Sequence, residues 1–149
     1  MAKVVFPASH AERYAATEKG TKIMSDKKYP YVNYMNILCD ALKLIDVPKL
    51  VDECSDQWYN QTLCKVNESV VRLGIVKGKY HWHKHDSEDE FFFTLNGELL
   101  LDIECQETVI LKQHQGYVVP KGIVHKTRAP EKAVILMIET AGITPTGDE

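Results

Sequence analysis

Four side chains of the kinds that bind metal ions lie close together in this sequence. His83, His85 and Glu90 occur within one short stretch, and His125 follows a reversal at Pro120-Lys121-Gly122. On a strand, residues two apart share a face and stand about 7 Å apart along it, so His83 and His85 can converge on one ion. Glu90, five residues after His85, would face away on an unbroken strand. A turn through Asp86-Ser87-Glu88-Asp89, which has turn composition, must return it to the site. Three imidazoles and one carboxylate suit a single divalent ion: iron, manganese, nickel, cobalt, copper or zinc. Chance clustering on an exposed strand would leave the spacing and the fourth partner unexplained.

Other polar residues near this group carry weaker signals. His81 shares the inward parity of His83 and reads as a group lining the pocket rather than a fifth ligand. His81 and Tyr80 are the candidates for acid or base work, provided either reaches the substrate. Arg72, Lys79 and Tyr80 flank the site, and one of them is a candidate to meet an anionic substrate. Glu88 and Asp89 read as solvated turn residues and His114 as a surface turn. His10 carries no signal.

These residues need a rigid frame. From Gln61 onward, short β-branched and aromatic runs alternate with turn residues, as in an all-β barrel or sandwich. The runs are 61–66, 69–77, 79–85, 90–95, 99–104, 108–112, 117–119, 124–128 and 133–140. Asn96-Gly97 predicts a two-residue hairpin, since a type I′ turn needs positive φ at both central positions. Gly116, Pro120-Lys121-Gly122 and Ala129-Pro130-Glu131 predict further reversals. Upstream, Tyr34, Ile37, Leu38, Ala41, Leu42 and Ile45 recur at three- and four-residue steps, predicting an amphipathic helix that Pro48 stops. A second short helix is expected over 47–55, and an extended segment over 1–32. The expected division is an extension at 1–57 and a barrel domain at 58–149.

Phe91, Phe92 and Phe93 sharpen the picture. Alternation sends Phe92 inward with Glu90 and the other two outward, where they need cover from the amphipathic helix or from a second copy of the chain; a homodimer is expected.

Composition narrows the function. With 149 residues and 44% hydrophobic content, the chain can bury one ordinary core. A net charge of -3 and the absence of a basic run exclude a nucleic-acid partner. No stretch of roughly 18 apolar residues and no secretory segment occurs, so neither a membrane partner nor export is expected, and a cytoplasmic location is. Cys39, Cys54, Cys64 and Cys105 form no C-x-x-C and read as buried thiols.

The segment His-x-His, four residues, Glu, six residues, Gly (His83, His85, Glu90, Gly97) resembles the first cupin motif. Pro-x-Gly-x-x-His (Pro120, Gly122, His125) resembles the second. The resemblance covers roughly Trp58 to Glu149 and implies a double-stranded β-helix, or jelly-roll barrel, with the metal inside one end. Gly78 stands five residues before His83 where the family usually has six, a difference of turn geometry rather than of ligands. Three-histidine, one-glutamate cupins support two kinds of chemistry on a small oxygenated metabolite. One is dioxygenation with iron(II), favoured slightly here because Phe92 would shield a reactive intermediate. The other is metal-dependent isomerisation or lysis of a sugar-like or keto-acid substrate. A ligand-binding or sensing barrel without turnover is the further alternative, though no basic helix pair accompanies it.

Overall fold

The computed structural model describes residues 22–24 and 31–148. Nine strands and one helix occur among them: β1 (Lys22–Met24), β2 (Val32–Tyr34), α1 (Val47–Glu53), β3 (Trp58–Val66), β4 (Ser69–Lys79), β5 (Glu90–Asn96), β6 (Leu99–Ile103), β7 (Val109–Leu111), β8 (Gly116–Val119) and β9 (His125–Thr140). They form the all-β cupin barrel expected. One wall runs β1-β2-β3-β4-β9-β5-β8, and β6 and β7 build the other from the first half of β9.

Strand β9 ties the walls together. His125 to Arg128 pair with β6, Ala133 to Thr140 pair with β4, and Val134 to Ile138 also pair with β5. The reversal expected at Ala129-Pro130-Glu131 is therefore absent. The exposed Pro130, which has no N–H to give, sits where β9 passes from β6 to β5. Nor is Asn96-Gly97 a hairpin: β5 and β6 do not pair with each other but with different halves of β9. Gly97 (φ +77) turns a barrel corner, and a Cβ there would lie 2.7 Å from the Lys132 carbonyl oxygen. The glycine is required by close approach.

Alternation divides the strands into two faces. Phe92, Leu99, Leu101, Ile135 and Met137 fill the barrel. Leu63, Leu73, Ile75 and Val134 face outward and are covered by Leu38, Ile45 and the α1 residues Val47, Leu50 and Val51. Burying each such side chain contributes about 1.5–3 kcal/mol.

The amphipathic helix expected over Tyr34 to Ile45 does not form. Tyr34 ends a strand parallel to β3, Leu38 and Cys39 donate their backbone N–H to the Thr62 and Leu63 carbonyls, and Leu42 has φ +64. The open edge of β3 offered this segment hydrogen bonds, and it followed that edge instead of coiling. Pro48 starts a helix rather than stopping one. It stands in the first turn of α1, where a missing N–H costs nothing, and the Asp46 side chain caps that turn at Lys49 N (3.2 Å). The short helix expected over 47–55 is thus present. His10 and most of the segment expected to be extended lie outside the described residues.

Candidate metal centre

His83 and His85 do not lie on the regular strand expected over 79–85. After Lys79 the chain leaves the ladder: the Tyr80 N–H donates to Thr127 O at 2.9 Å, and an isolated bridge follows, where His83 and His125 exchange N–H···O bonds of 2.9 Å. That bridge fixes one imidazole beside the other, with ring centroids 4.4 Å apart. His85 is held by its own carbonyl, which accepts from Gly122 N at 2.7 Å. The turn through 86–89 is present and is pinned by Asp89, whose carboxylate accepts from Lys121 N at 2.9 Å. Glu90 then opens β5 facing inward, and both cupin motifs meet.

One ligand atom from each of His83, His85, Glu90 and His125 lies within 4.8 Å of the others. His85, Glu90 and His125 are buried and His83 is half-buried. The Nδ1–H of His83 donates to its neighbour's carbonyl, His81 O, at 3.1 Å, and that of His125 to Ile123 O at 2.9 Å. Since a carbonyl can only accept, both rings are held with Nε2 as the lone-pair nitrogen. The His125 Nε2 stands 3.2 Å and the His85 Nε2 3.5 Å from the same Glu90 oxygen. Lone pairs turned toward a carboxylate repel unless a cation lies between them. Neither ring nitrogen of His85 has a hydrogen-bond partner, although the ring is buried. The residues fit a bound divalent ion.

The electrostatics agree. Burial, with His125 beside it, pushes His83 down to about 4, so the ring is neutral and ready to ligate at neutral pH. Burial alone would raise Glu90, but the His125 and His85 imidazoles beside it outweigh that and hold the carboxyl low.

The centre opens into a cavity of about 30 Å³, lined in part by His83, Glu90 and Tyr80. Trp58, Val76, Phe92, Ile135 and Met137 supply its apolar wall. Tyr80 is buried, its hydroxyl donates to Pro145 O at 3.0 Å, and burial pushes its pKa far up. His81 does not line the cavity; its Nε2–H donates to Thr146 O at 2.8 Å and its ring stacks on Tyr31. Residues 145–148 thus pack on the segment from Tyr80 to Lys84, with Gly147 so close that a Cβ would meet the His83 Cβ at 2.6 Å.

Two residues alter the reading of the site. Arg72 is not free for an anionic substrate. It is buried, with Nε 2.5 Å from Glu139 Oε1 and Nη2 2.6 Å from the Met35 sulfur. Lys79 is exposed. Glu139, which the sequence reading does not name, lines the cavity together with Glu90. Burial and the Glu90 charge push its carboxyl up to about 8 against the pull of Arg72. The sequence did hold a signal: Glu139 shares the inward parity of Ile135 and Met137, and Arg72 that of Val70, so two charges of opposite sign stand at core positions of paired strands.

Comparison with known proteins supports this architecture. Residues 73–139, which include all four ligand residues, match the sequence model of the cupin domain. Over 97 residues, 65% of this chain and 86% of the relative, the sequence is 37% identical to the uncharacterized protein YdbB of Bacillus subtilis. A cupin-2 domain protein from Shewanella frigidimarina superposes with a TM-score of 0.61 at 29% identity, covering 65% of this chain and 94% of its own. Protein NMB1881 of Neisseria meningitidis gives 0.59 at 20% identity, covering 66% and 99%, a likeness of fold alone. The chain belongs to the cupin family, and within it to the small cupins whose barrel carries a three-histidine, one-glutamate group able to hold a metal ion.

Proposed function

We propose that this protein is a metal-dependent enzyme that holds one divalent ion at His83, His85, Glu90 and His125 and acts on a small oxygenated metabolite. Iron, manganese, nickel, cobalt, copper and zinc all suit the donor set. The observation that carries the proposal is that the four ligands converge at the edge of a cavity rather than in solid core. Bound there, iron(II) supplies redox chemistry with dioxygen, and any of the six supplies Lewis acidity.

The first reading is an iron(II) dioxygenase. Phe92, Val76, Ile135 and Met137 keep water from the reacting atoms, which such chemistry needs. Tyr80, which lines the cavity and is hydrogen-bonded to Pro145, is the group placed to hold or pass a proton, whereas His81 lies outside the cavity. The second reading, an isomerase or lyase of a sugar-like or keto-acid substrate, is favoured by Glu139, a second carboxyl facing the cavity that could take a proton from carbon. Turnover separates these readings from a ligand-binding barrel.

The test is metal content by elemental analysis, followed by oxygen consumption after anaerobic iron(II) loading against diketones, hydroxy-acids, phenols and thiols. Uptake with one class supports the dioxygenase. Bound metal without uptake transfers the proposal to isomerase, lyase or binding function, and a purified protein that retains no divalent ion would overturn it.

A homodimer is also proposed. Ile138, Phe91 and Val118 lie side by side in register on the outer face, with Ile138 and Val118 40% and 51% exposed.

A further inference from the structure

The cavity beside the metal centre is smaller than the molecules it would have to admit. At about 30 Å³ it holds roughly two waters. A metabolite with a carbon skeleton and two oxygen functions is larger, so it enters only when part of the wall moves. Among the described residues, all but one of those lining the cavity lie on β3, β4, β5 or β9, or belong to the segment after β4, where the N–H groups of Tyr80 and His83 donate to Thr127 O and His125 O at 2.9 Å. Displacing those backbones breaks the barrel ladder. The exception is Pro145.

Pro145 belongs to a stretch of chain fastened differently from the rest. As far as Ile143 the tail is tied to the barrel: the Ala141 N–H donates to Glu68 O at 3.0 Å, and Ile143 is buried. Thr144 is exposed, and from there to Asp148 no residue joins a sheet. A bond from Gly147 N to Thr144 O at 2.9 Å closes this stretch into a turn. It is held along one line, over residues 80–86. The Tyr80 hydroxyl donates to Pro145 O at 3.0 Å, the His81 Nε2–H to Thr146 O at 2.8 Å and the Asp148 N–H to Lys84 O at 2.9 Å. In return, the Asp148 carboxylate accepts from the Asp86 N–H at 2.7 Å. Hydrogen bonds near the surface, with no ladder behind them, open at lower free energy than a core strand.

We propose that residues 144–148 form a strap that swings about Thr144 to admit substrate to the metal centre and closes behind it. Pro145 seals the cavity, and the Asp86–Asp148 bond is the latch. The inference rests on the metal-dependent reading above and supplies its route of access.

The test uses the full chain loaded with cobalt(II) and acetohydroxamate, a chelating probe larger than the closed cavity, with binding followed by stopped-flow absorbance. Asp148→Ala loses the latch without touching the cavity lining or the ion's ligands. It should bind the probe about two- to tenfold faster, the gain expected from losing one hydrogen bond of ordinary net strength. Asp86→Cys combined with Asp148→Cys replaces the latch by a disulfide, with the exposed Cys105 changed to serine to prevent mispairing. Oxidised, this protein should bind at least about tenfold more slowly than the same sample reduced with a phosphine, because a locked strap must pass through the open state to admit the probe. Comparing two states of one protein removes any effect of the substitutions on folding, and elemental analysis should give one cobalt per chain throughout. Equal rates in the oxidised and reduced forms, an Asp148→Ala rate no faster than wild type, or no probe binding by any loaded protein would overturn the strap. A wild-type chain that takes up no cobalt would instead sink the metal-dependent reading and this inference with it.

Discussion

At the scale of the residue, the centre was legible because its chemistry is carried by rare side chains at fixed spacing. His83, His85, Glu90 and His125 could be named from the sequence, and so could the turn that returns Glu90. Arg72 and Glu139 were harder to read, since a charge at inward parity becomes informative only once its partner strand is known. Replacing Glu90 with alanine leaves three imidazoles without the carboxylate that balances the ion's charge. Equilibrium dialysis should then give metal affinity lower by about 100-fold or more, beyond the 10–100-fold typical of losing a supporting partner. Full occupancy in Glu90→Ala would remove Glu90 from the ligand set.

At the scale of the element, hydrophobic alternation identified most strands, but not how they pair. Local signals at Asn96-Gly97 and Ala129-Pro130-Glu131 predict a hairpin and a reversal, whereas distant pairing with β9 decides both. The same limit applies to Tyr34 through Ile45, where helical spacing yielded to the edge of β3. Packing across the sheet is testable at Leu73, fully buried on the outer face. Leu73→Ala should cost about 2–5 kcal/mol in urea unfolding while metal stoichiometry stays the same; a loss of metal as well would mean that the outer face shapes the centre.

The β6–β9 contact offers a pH test. Arg128 grips Asp102 with two hydrogen bonds, Nε to Oδ2 at 2.5 Å and Nη2 to Oδ1 at 2.8 Å, and with Thr108 holds the carboxyl at about 2, below its usual 3.8. The folded state thus binds the proton less readily than the unfolded one. The stabilisation is present above about 3.8 and lost as pH falls through about 2. Asp102→Asn should cost on the order of 1 kcal/mol at pH 6, since the pair is partly solvated. Its stability gap from wild type should close as the pH drops across that window, and a gap independent of pH would show that charge plays no part.

For the whole molecule, metal and fold should be thermodynamically linked, because the ligands come together only in the folded barrel. An ion at 1,000 times its dissociation constant adds about 4 kcal/mol, so chelation should lower the melting temperature measurably. Identical melting with and without chelator would mean that the ion does not select the folded state. In light scattering the homodimer should weigh twice the 17.0 kDa of one chain, and Val118→Lys should halve that mass. A wild-type mass of 17.0 kDa would leave the outer face without a partner copy.

The dependence of both walls on β9 also has a consequence for biosynthesis. A nascent chain released as far as Pro120 already carries His83, His85 and Glu90, yet it lacks both His125 and the strand that joins β4, β5 and β6. Until β9 emerges, β4 presents a long unpaired edge of the kind that invites association with other chains. Ion capture should therefore come late, marking the moment at which translation has passed β9 and the vulnerable edge is sealed.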